Sequence, residues 1–234
     1  MGAEHRIHNF IVHPAWQHVK KKLLTSKRII DLGCGTNPVA AASVAIDPYI
    51  NPIQRSCKSG TRIKKSIFNK SGIKFIQSRI DVNLPFENKA FDFAYCRHVV
   101  EHLKNPAKAC EEMMRIAKEG VVICPSIFAE QLFGRSYHKW LVMDRKNLLL
   151  FFKKRLHEDR PFGKHPNWDK SNMNWIAEKD TNPFDILLND GGWYKGKEKM
   201  PRLSSILKKY WCTHSPVLEL VFFWKNRFNY IVYK

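Results

Sequence analysis

Two glycines and a carboxylate stand where the chain could hold a small ligand. Gly33 and Gly35 follow an apolar run, residues 28–32, which predicts a buried strand. Glycines one residue apart allow a sharp turn and a close approach of the backbone to a ligand. A second apolar run, residues 40–46, ends in Asp47. A carboxylate at such a strand tip commonly accepts ribose hydroxyls, so the pattern predicts a nucleoside-containing ligand.

The glycine spacing argues against a dinucleotide cofactor. The NAD and FAD fingerprint needs a third glycine near position 38, where it allows close packing of helix on strand. This chain has Pro38 there. A ligand without a pyrophosphate is therefore favoured.

Two more polar residues follow predicted strands. Asp81 comes after the third predicted strand, residues 74–80, and His98 after the fourth, residues 91–96. A carboxylate at position 81 can accept a hydrogen bond from an adenine amine. The imidazole of His98 can act as a general base near neutral pH, although a structural or cofactor-contacting role fits the sequence equally well.

A metal site is not expected from the histidine pattern. His98 and His102 are spaced as in zinc proteases, where two imidazoles share one helix face. Glu101 stands at the wrong offset for that motif, and the sequence offers no third ligand. The histidines of residues 1–27 are irregularly spaced. We therefore predict no metal.

Two motifs resemble those of known enzymes. The run Asp-Leu-Gly-Cys-Gly-Thr at residues 31–36 resembles the first motif of class I S-adenosylmethionine-dependent methyltransferases. The pattern D-x-x-L-P-F-x-x-x-x-F-D-x-x-x-x-x-H-V-x-E-H-L at residues 81–103 is similar to the methyltransferase type 11 family, which includes ubiquinone-biosynthesis enzymes. The resemblance spans residues 28–126.

This resemblance implies S-adenosyl-L-methionine as the cofactor. It places Asp31, Gly33 and Gly35 at the methionine moiety and Asp47 at the ribose hydroxyls. It places Asp81 and Val82 around the adenine, and His98 nearest the methyl group, as a candidate catalytic base. Cys34 and Pro48, which adjoin these residues, are assigned to the same cofactor site.

The resemblance also implies the fold. We expect an α/β, Rossmann-like class I methyltransferase fold: a mostly parallel seven-stranded sheet with a C-terminal antiparallel hairpin and an insertion after the fifth strand. All residues, 1–234, then form a single domain. Its parts are an N-terminal helical lead-in (1–27), a cofactor-binding half (28–126), a substrate or lid insertion (127–215) and the C-terminal hairpin (216–234).

The periodicity predicts several further elements. A short amphipathic helix precedes the first strand, with Trp16, Val19 and Leu23 on one face. Residues 105–118 predict a helix that has Pro106 in its first turn, and Gly120 separates it from a fifth strand, residues 121–124. Residues 145–156 and 204–210 predict two more helices. Residues 217–224 and 228–233 predict the final hairpin.

The insertion is expected to provide the acceptor site. Residues 157–196 read as a long irregular loop, and long loops over a pocket are usually functional. We assign His138 and Trp140 to the substrate. The alternative is that aromatic residues of this segment only anchor it to the domain.

Charge suggests a polyanionic partner. The net charge is +19, and residues 48–80 contain eight lysines and arginines without one acid. Such a surface can bind RNA, another polyanion or the surface of an anionic membrane. A solvated basic face explains it as well. No apolar run is long enough to span a membrane, no signal core is present, and the six scattered cysteines fit a reducing cytosol, so we expect a cytoplasmic protein.

Together these features predict a methyltransferase that modifies an O, N or C nucleophile of a small molecule, glycan or lipid-linked acceptor. RNA methylation is the alternative, favoured by the charge but lacking the Asn-Pro-Pro-Tyr type of motif used for amino groups of bases. A non-catalytic cofactor- or RNA-binding protein is the second alternative. The oligomeric state is left open.

Overall fold

A computed structural model describes residues 15–35, 38–48, 72–133, 138–154 and 217–234. Most of the basic block, residues 49–71, lies outside the described residues. So do residues 155–215 of the insertion, which include the predicted helix 204–210.

Nine strands form two sheets in the described residues. They are β1 (Ile29–Leu32), β2 (Val44–Asp47), β3 (Lys74–Gln77), β4 (Phe91–Arg97), β5 (Ala117–Pro125), β6 (Trp140–Arg145), β7 (Leu148–Lys153), β8 (Glu219–Lys225) and β9 (Asn229–Tyr233). The larger sheet has the order β3-β2-β1-β4-β5-β8. Its first five strands are parallel, and β8 pairs antiparallel with β5.

The strand order reverses beside β1. The chain first proceeds outward through β2 and β3, then returns to the other side of β1 with β4. In open α/β sheets, ligands bind at this switch point, outside the carboxyl ends of the strands. The mostly parallel sheet confirms the expected Rossmann-like class I fold.

Apolar layers cover both faces of the sheet. Side chains alternate along a strand, so Phe93 and Tyr95 of β4 enter one buried cluster while Ala94 and Cys96 enter the other. Helix α1 (Ala15–Thr25) covers the first cluster with the buried residues Trp16 and Val19, as predicted. Leu23 packs against the same cluster.

Helix α2 (Pro106–Ile116) covers the opposite face. Asn105 caps it, because its side chain accepts the backbone N–H of Lys108 at 3.1 Å, and Pro106 occupies the first turn, as predicted. The buried Met113 and Ile116 form its apolar face. The fifth strand begins directly after this helix, at Ala117, rather than after Gly120.

Gly120 lies inside β5 rather than separating it from the helix. A Cβ at this position would come within 2.5 Å of the Ala94 carbonyl oxygen and 2.8 Å of the Trp224 ring. The glycine therefore permits a close approach of neighbouring strands instead of a turn.

The predicted helix 145–156 is wrong. The structure has β6 and β7 there, joined by a tight turn in which Lys146 has φ 55°. Leu149 and Phe151 are buried. The adjacent pairs Leu148-Leu149 and Phe151-Phe152 fit a helical period as well as a strand period, so the sequence alone favoured the wrong element.

The C-terminal strands exist, but they do not form the predicted hairpin. Strand β8 joins the large sheet, whereas β9 pairs in parallel with β7 in a second sheet of order β6-β7-β9. Between them, Asn226 has φ 62° and redirects the chain. In the part of the chain that the structure describes, the large sheet therefore has six strands rather than seven. Within the described segments, no helix is long and apolar enough to cross a membrane.

Candidate functional site

The predicted site residues gather at the carboxyl edge of the large sheet. Gly33 follows β1, Asp47 ends β2 and His98 follows β4. Because these three strands are adjacent and parallel, their ends meet beside the switch point. Asp81 lies a few residues past the end of β3.

The turn after β1 requires glycine at positions 33 and 35. Gly33 has φ 81° and Gly35 has φ 58°, a region that residues with side chains rarely adopt. The backbone N–H groups of Gly33 and Cys34 both donate to the carbonyl of Ile46, at 2.8 and 3.0 Å. A Cβ on Gly33 would collide with the Val99 side chain. The turn is therefore tied to β2 and packed directly against the loop after β4.

Two buried carboxylates hold the two sides of this turn. The Asp47 Oδ2 atom accepts the backbone N–H of Gly35 at 2.9 Å. The Asp31 Oδ2 atom accepts the backbone N–H of Val39 at 2.7 Å. Both side chains are almost fully buried. They fix the shape of the turn before any ligand arrives, which is a role that the sequence alone did not indicate.

Hydrogen bonds from nearby residues hold the Asp81 side chain. Its carboxylate accepts both Arg79 guanidinium N–H groups and the backbone N–H groups of Lys104 and Asn105, the latter at 3.1 and 3.0 Å. Burial by itself raises the pKa of Asp81, but the hydrogen bonds from Arg79 and Asn105 outweigh burial and lower it. The negative charge thus joins the loop after β3 to the start of α2.

The other assigned residues line the same edge. Cys34 is buried within the turn and Pro48 is half-buried after β2. Val82 is 38% exposed, so an apolar face remains available to an adenine ring. Burial raises the pKa of the Cys96 and Cys124 thiols.

His98 occupies an unusual backbone position. Its φ is 52°, in the left-handed region that non-glycine residues seldom adopt, and its N–H donates to Ile123 at 2.8 Å. Backbone strain of this kind concentrates at functional sites. The imidazole is 22% exposed and lies near two buried carboxylates, 3.4 Å from Glu101 and 3.8 Å from Glu219.

Glu219 enters the site from the far end of the chain. It pairs with Arg97 at 3.3 Å, and both side chains are buried. The Arg97 guanidinium also lies 5.5 Å from the centre of the Trp16 ring, in a cation–π arrangement. No sequence pattern indicates Glu219, because only the pairing of β8 with β5 brings it beside β4.

Glu101 lies at the centre of a histidine cluster. A 3₁₀ turn, Val100–His102, follows His98 and buries the Glu101 side chain. Burial by itself raises the pKa of Glu101, but the imidazoles of His102, His98 and His138 outweigh it and lower the pKa to about 2. The His102 and His138 rings meet edge to face, with centroids 4.6 Å apart.

His138 and Trp140, assigned to the acceptor from sequence, lie at the start of β6. His138 Nδ1 contacts Glu130 Oε1, and Glu130 Oε2 accepts Lys154 Nζ at 3.0 Å. Trp140 is buried in the core, and its indole N–H donates to the Leu103 carbonyl at 2.8 Å. The acceptor role of both residues stays a prediction, while Trp140 also has a packing role.

Comparison with known proteins agrees with this architecture. Residues 30–124 match the family described as "Methyltransferase domain", which confirms the resemblance of this segment to the type 11 methyltransferases. The family implies S-adenosyl-L-methionine as cofactor. No curated protein matches the chain.

Solved structures of methyltransferases are similar to parts of the chain. One from Thermotoga maritima, titled a possible histamine N-methyltransferase, is 25% identical, with 57% of this chain and 59% of that chain covered and a TM-score of 0.38. One from Mesorhizobium loti is 16% identical, with 62% and 65% covered and a TM-score of 0.38. A putative sarcosine dimethylglycine methyltransferase from Galdieria sulphuraria is 19% identical, with 47% and 43% covered and a TM-score of 0.37. The alignments thus span less than two thirds of these proteins.

The residues present fit the cofactor that the family implies. The turn at Gly33 and Gly35 lies at the carboxyl edge of the sheet, and a buried carboxylate, Asp47, stands at the neighbouring strand tip. An amino-acid end and a ribose are the two polar parts that such a turn and such a carboxylate can hold.

Proposed function

We propose that this protein transfers the methyl group of S-adenosyl-L-methionine to an O, N or C nucleophile of a small molecule, glycan or lipid-linked acceptor. One observation carries the proposal: the glycine turn and Asp47 meet at the switch point inside the segment that matches the methyltransferase family. Ligand sites of open α/β sheets lie at this point.

Each cofactor part has a candidate partner. Asp31, Gly33, Cys34 and Gly35 adjoin the methionine end, and Asp47 with Pro48 adjoins the ribose. Val82 offers an apolar surface to the adenine. The second oxygen of Asp81, Oδ1, accepts one hydrogen bond among the described residues, from Arg79, and can take the adenine amine in addition.

The protein's own contribution to the reaction is mainly positioning. The sulfonium of the bound cofactor makes the methyl group electrophilic. Holding the acceptor in line with it removes much of the entropic barrier. An acceptor that must lose a proton needs a base, and His98 suits that task because its partly exposed imidazole is oriented by Glu101 and Glu219.

Calorimetric titration with S-adenosylmethionine tests the cofactor site. Asp47→Asn loses the charge that faces the ribose, and we expect roughly 10- to 100-fold weaker binding, as for a lost hydrogen bond to a charged group. Asp92→Asn is the matched control. Its carboxylate also accepts a backbone N–H, that of Arg28 at 3.0 Å, but at the opposite edge of the sheet. Equal affinities for the wild type and Asp47→Asn would refute the cofactor assignment.

The acceptor needs a separate experiment. The protein, methyl-labelled cofactor and a fractionated cell extract are incubated, and the products are then divided and treated with ribonuclease. Label in a ribonuclease-resistant small-molecule, glycan or lipid fraction supports the proposal. Cofactor binding without label in any fraction supports a non-catalytic binding protein instead.

RNA is the second candidate acceptor, and the net charge of +19 favours it. If ribonuclease releases the methyl label from the products, RNA is the acceptor. Binding to RNA should then weaken steeply with salt, because each neutralised phosphate releases counterions.

A further inference from the structure

Glu101, His102 and His138 form a cluster beside His98, and the proposed methyl transfer uses only the contact of Glu101 with His98. One ligand atom from each of the three lies within 4.8 Å of the other two. Ligand atoms about 2.1 Å from a first-row cation lie roughly 3 Å from one another. Shifts of about 1 Å in the ligand atoms would therefore complete the coordination. We propose that Glu101, His102 and His138 bind one divalent first-row transition-metal cation.

The Glu101 carboxylate supports a cation independently of the cluster geometry. The side chain is only 1% exposed, and neither oxygen makes a hydrogen bond of good geometry among the described residues. Its nearest polar neighbours are imidazole nitrogens of His98, at 3.4 Å, and His102, at 3.8 Å. A buried carboxylate needs a positive partner. A bound cation supplies one, and so would a protonated imidazole, which the experiment below distinguishes.

The surroundings of His138 match those of metal-binding histidines. Such histidines usually give their second ring nitrogen to a carboxylate, which fixes the ring and raises its basicity. Here Glu130 contacts Nδ1 of His138, and Lys154 holds the other Glu130 oxygen at 3.0 Å. Nε2 is then the ring nitrogen that faces a cation. Glu130 and Lys154 act as positioning residues.

Backbone contacts hold the two halves of the cluster together. The N–H of Lys139, next to His138, donates to the Glu101 carbonyl at 2.7 Å. The indole of Trp140 donates to the Leu103 carbonyl at 2.8 Å. The 3₁₀ turn after β4 and the start of β6 are thus fixed to each other, so the ligands are positioned before a cation binds.

The donor set indicates the class of metal. Two imidazoles and one carboxylate suit Mn²⁺, Fe²⁺, Co²⁺ or Zn²⁺ better than Mg²⁺ or Ca²⁺, which prefer oxygen ligands. Three protein ligands leave coordination positions open, as in catalytic rather than structural centres. One consequence rests on the proposed methyl transfer: an open position beside His98 would take an acceptor hydroxyl and favour its deprotonation, which makes hydroxyl compounds the expected acceptors.

Titration with Co²⁺ tests the site without any assay of activity. The full chain is freed of metal with a chelator, and Co²⁺ is added while visible absorption and heat are recorded. We expect one tight site in the wild type and a loss of more than about 100-fold in affinity for Glu101→Gln and His102→Gln. Glu130→Gln should weaken binding by roughly 10- to 100-fold. His18→Gln is the matched control, because His18 is an exposed histidine that packs on Phe223, outside the cluster.

Two results would overturn the proposal: no Co²⁺ binding by the wild type at 100 μM Co²⁺, or wild-type affinity in both ligand variants. Circular dichroism confirms that each variant is folded, and Glu130→Gln provides the answer if a ligand variant is not. S-adenosylmethionine affinity is measured on the same samples. Co²⁺ binding without cofactor binding would refute the proposed methyl transfer and leave the cation site standing.

Discussion

Gly33 and Val99 are in direct contact across the switch point, so closely that a methyl group on Gly33 would overlap the Val99 side chain. Gly33 also has φ 81°. Gly33→Ala should therefore strain the backbone and push the loop after β4 away, with a loss of roughly 1–3 kcal/mol in unfolding free energy. Urea denaturation measures the stability, and calorimetry should show weaker binding of S-adenosylmethionine.

A second substitution, at Val99, separates the overlap with the Val99 side chain from the strain of the positive φ. Val99→Ala removes the overlapping methyl groups, so the double variant Gly33→Ala/Val99→Ala should regain part of the cofactor affinity lost by Gly33→Ala alone. The strain of a positive φ remains in both. Strictly additive losses would mean that the contact between these two residues does not shape the turn.

Glu112 should contribute stability that is present at neutral pH and lost in acid. Its carboxylate accepts hydrogen bonds from Leu84 N at 2.8 Å and from Arg115 Nη2 at 2.7 Å. Burial alone raises the pKa of Glu112, but the bonds from Arg115 and Leu84 outweigh it and hold the pKa below the ordinary value of 4.5. A carboxyl whose folded pKa is depressed contributes stability above its unfolded pKa and loses that contribution as the pH falls through the folded pKa.

Glu112→Gln should therefore lower the free energy of unfolding by about 1–3 kcal/mol at pH 7. The difference from the wild type should shrink as the pH falls below about 4.5, because the wild-type carboxyl is then protonated in the unfolded chain and, at lower pH, in the folded protein. Urea unfolding at pH 7, 5, 4 and 3 provides the comparison. A difference that is constant with pH would show that Glu112 acts by packing and not by charge.

The sequence predicted the sheet and its edge because these follow from local patterns. An apolar run that ends in glycines indicates β1 and its turn, and the same logic placed Asp47 and His98 at strand ends. Contacts across the fold were not predictable. The approach of His138 to His102 depends on a hairpin, β6 and β7, that the periodicity did not distinguish from a helix. Likewise, only the antiparallel position of β8 brings Glu219 to Arg97.

Trp140 illustrates how burial refines an assignment made from sequence. Its indole N–H donates to the Leu103 carbonyl at 2.8 Å, and its ring meets Phe151 edge to face with centroids 6.4 Å apart. Trp140→Phe keeps most of the apolar packing but removes the donor, so we expect a loss of about 1 kcal/mol in unfolding free energy. Thermal and urea denaturation measure this loss. S-adenosylmethionine affinity should stay within twofold of the wild type, since Trp140 lies in the core and not at the glycine turn.

The ion pair of Arg97 and Glu219 should behave differently in single and double variants. Both side chains are buried and lie 3.3 Å apart, so removing one partner leaves an uncompensated buried charge. Glu219→Gln should lower the free energy of unfolding by roughly 3–5 kcal/mol. Arg97→Met combined with Glu219→Gln should recover much of this loss, because no lone charge then remains. Urea denaturation of Glu219→Gln, Arg97→Met and the double variant forms a complete cycle with the wild type. If the loss of unfolding free energy in the double variant equalled the sum of the losses in the two single variants, the two charges would not be coupled. Contacts with His98 or the Trp16 ring would then have to account for the burial of Glu219 and Arg97.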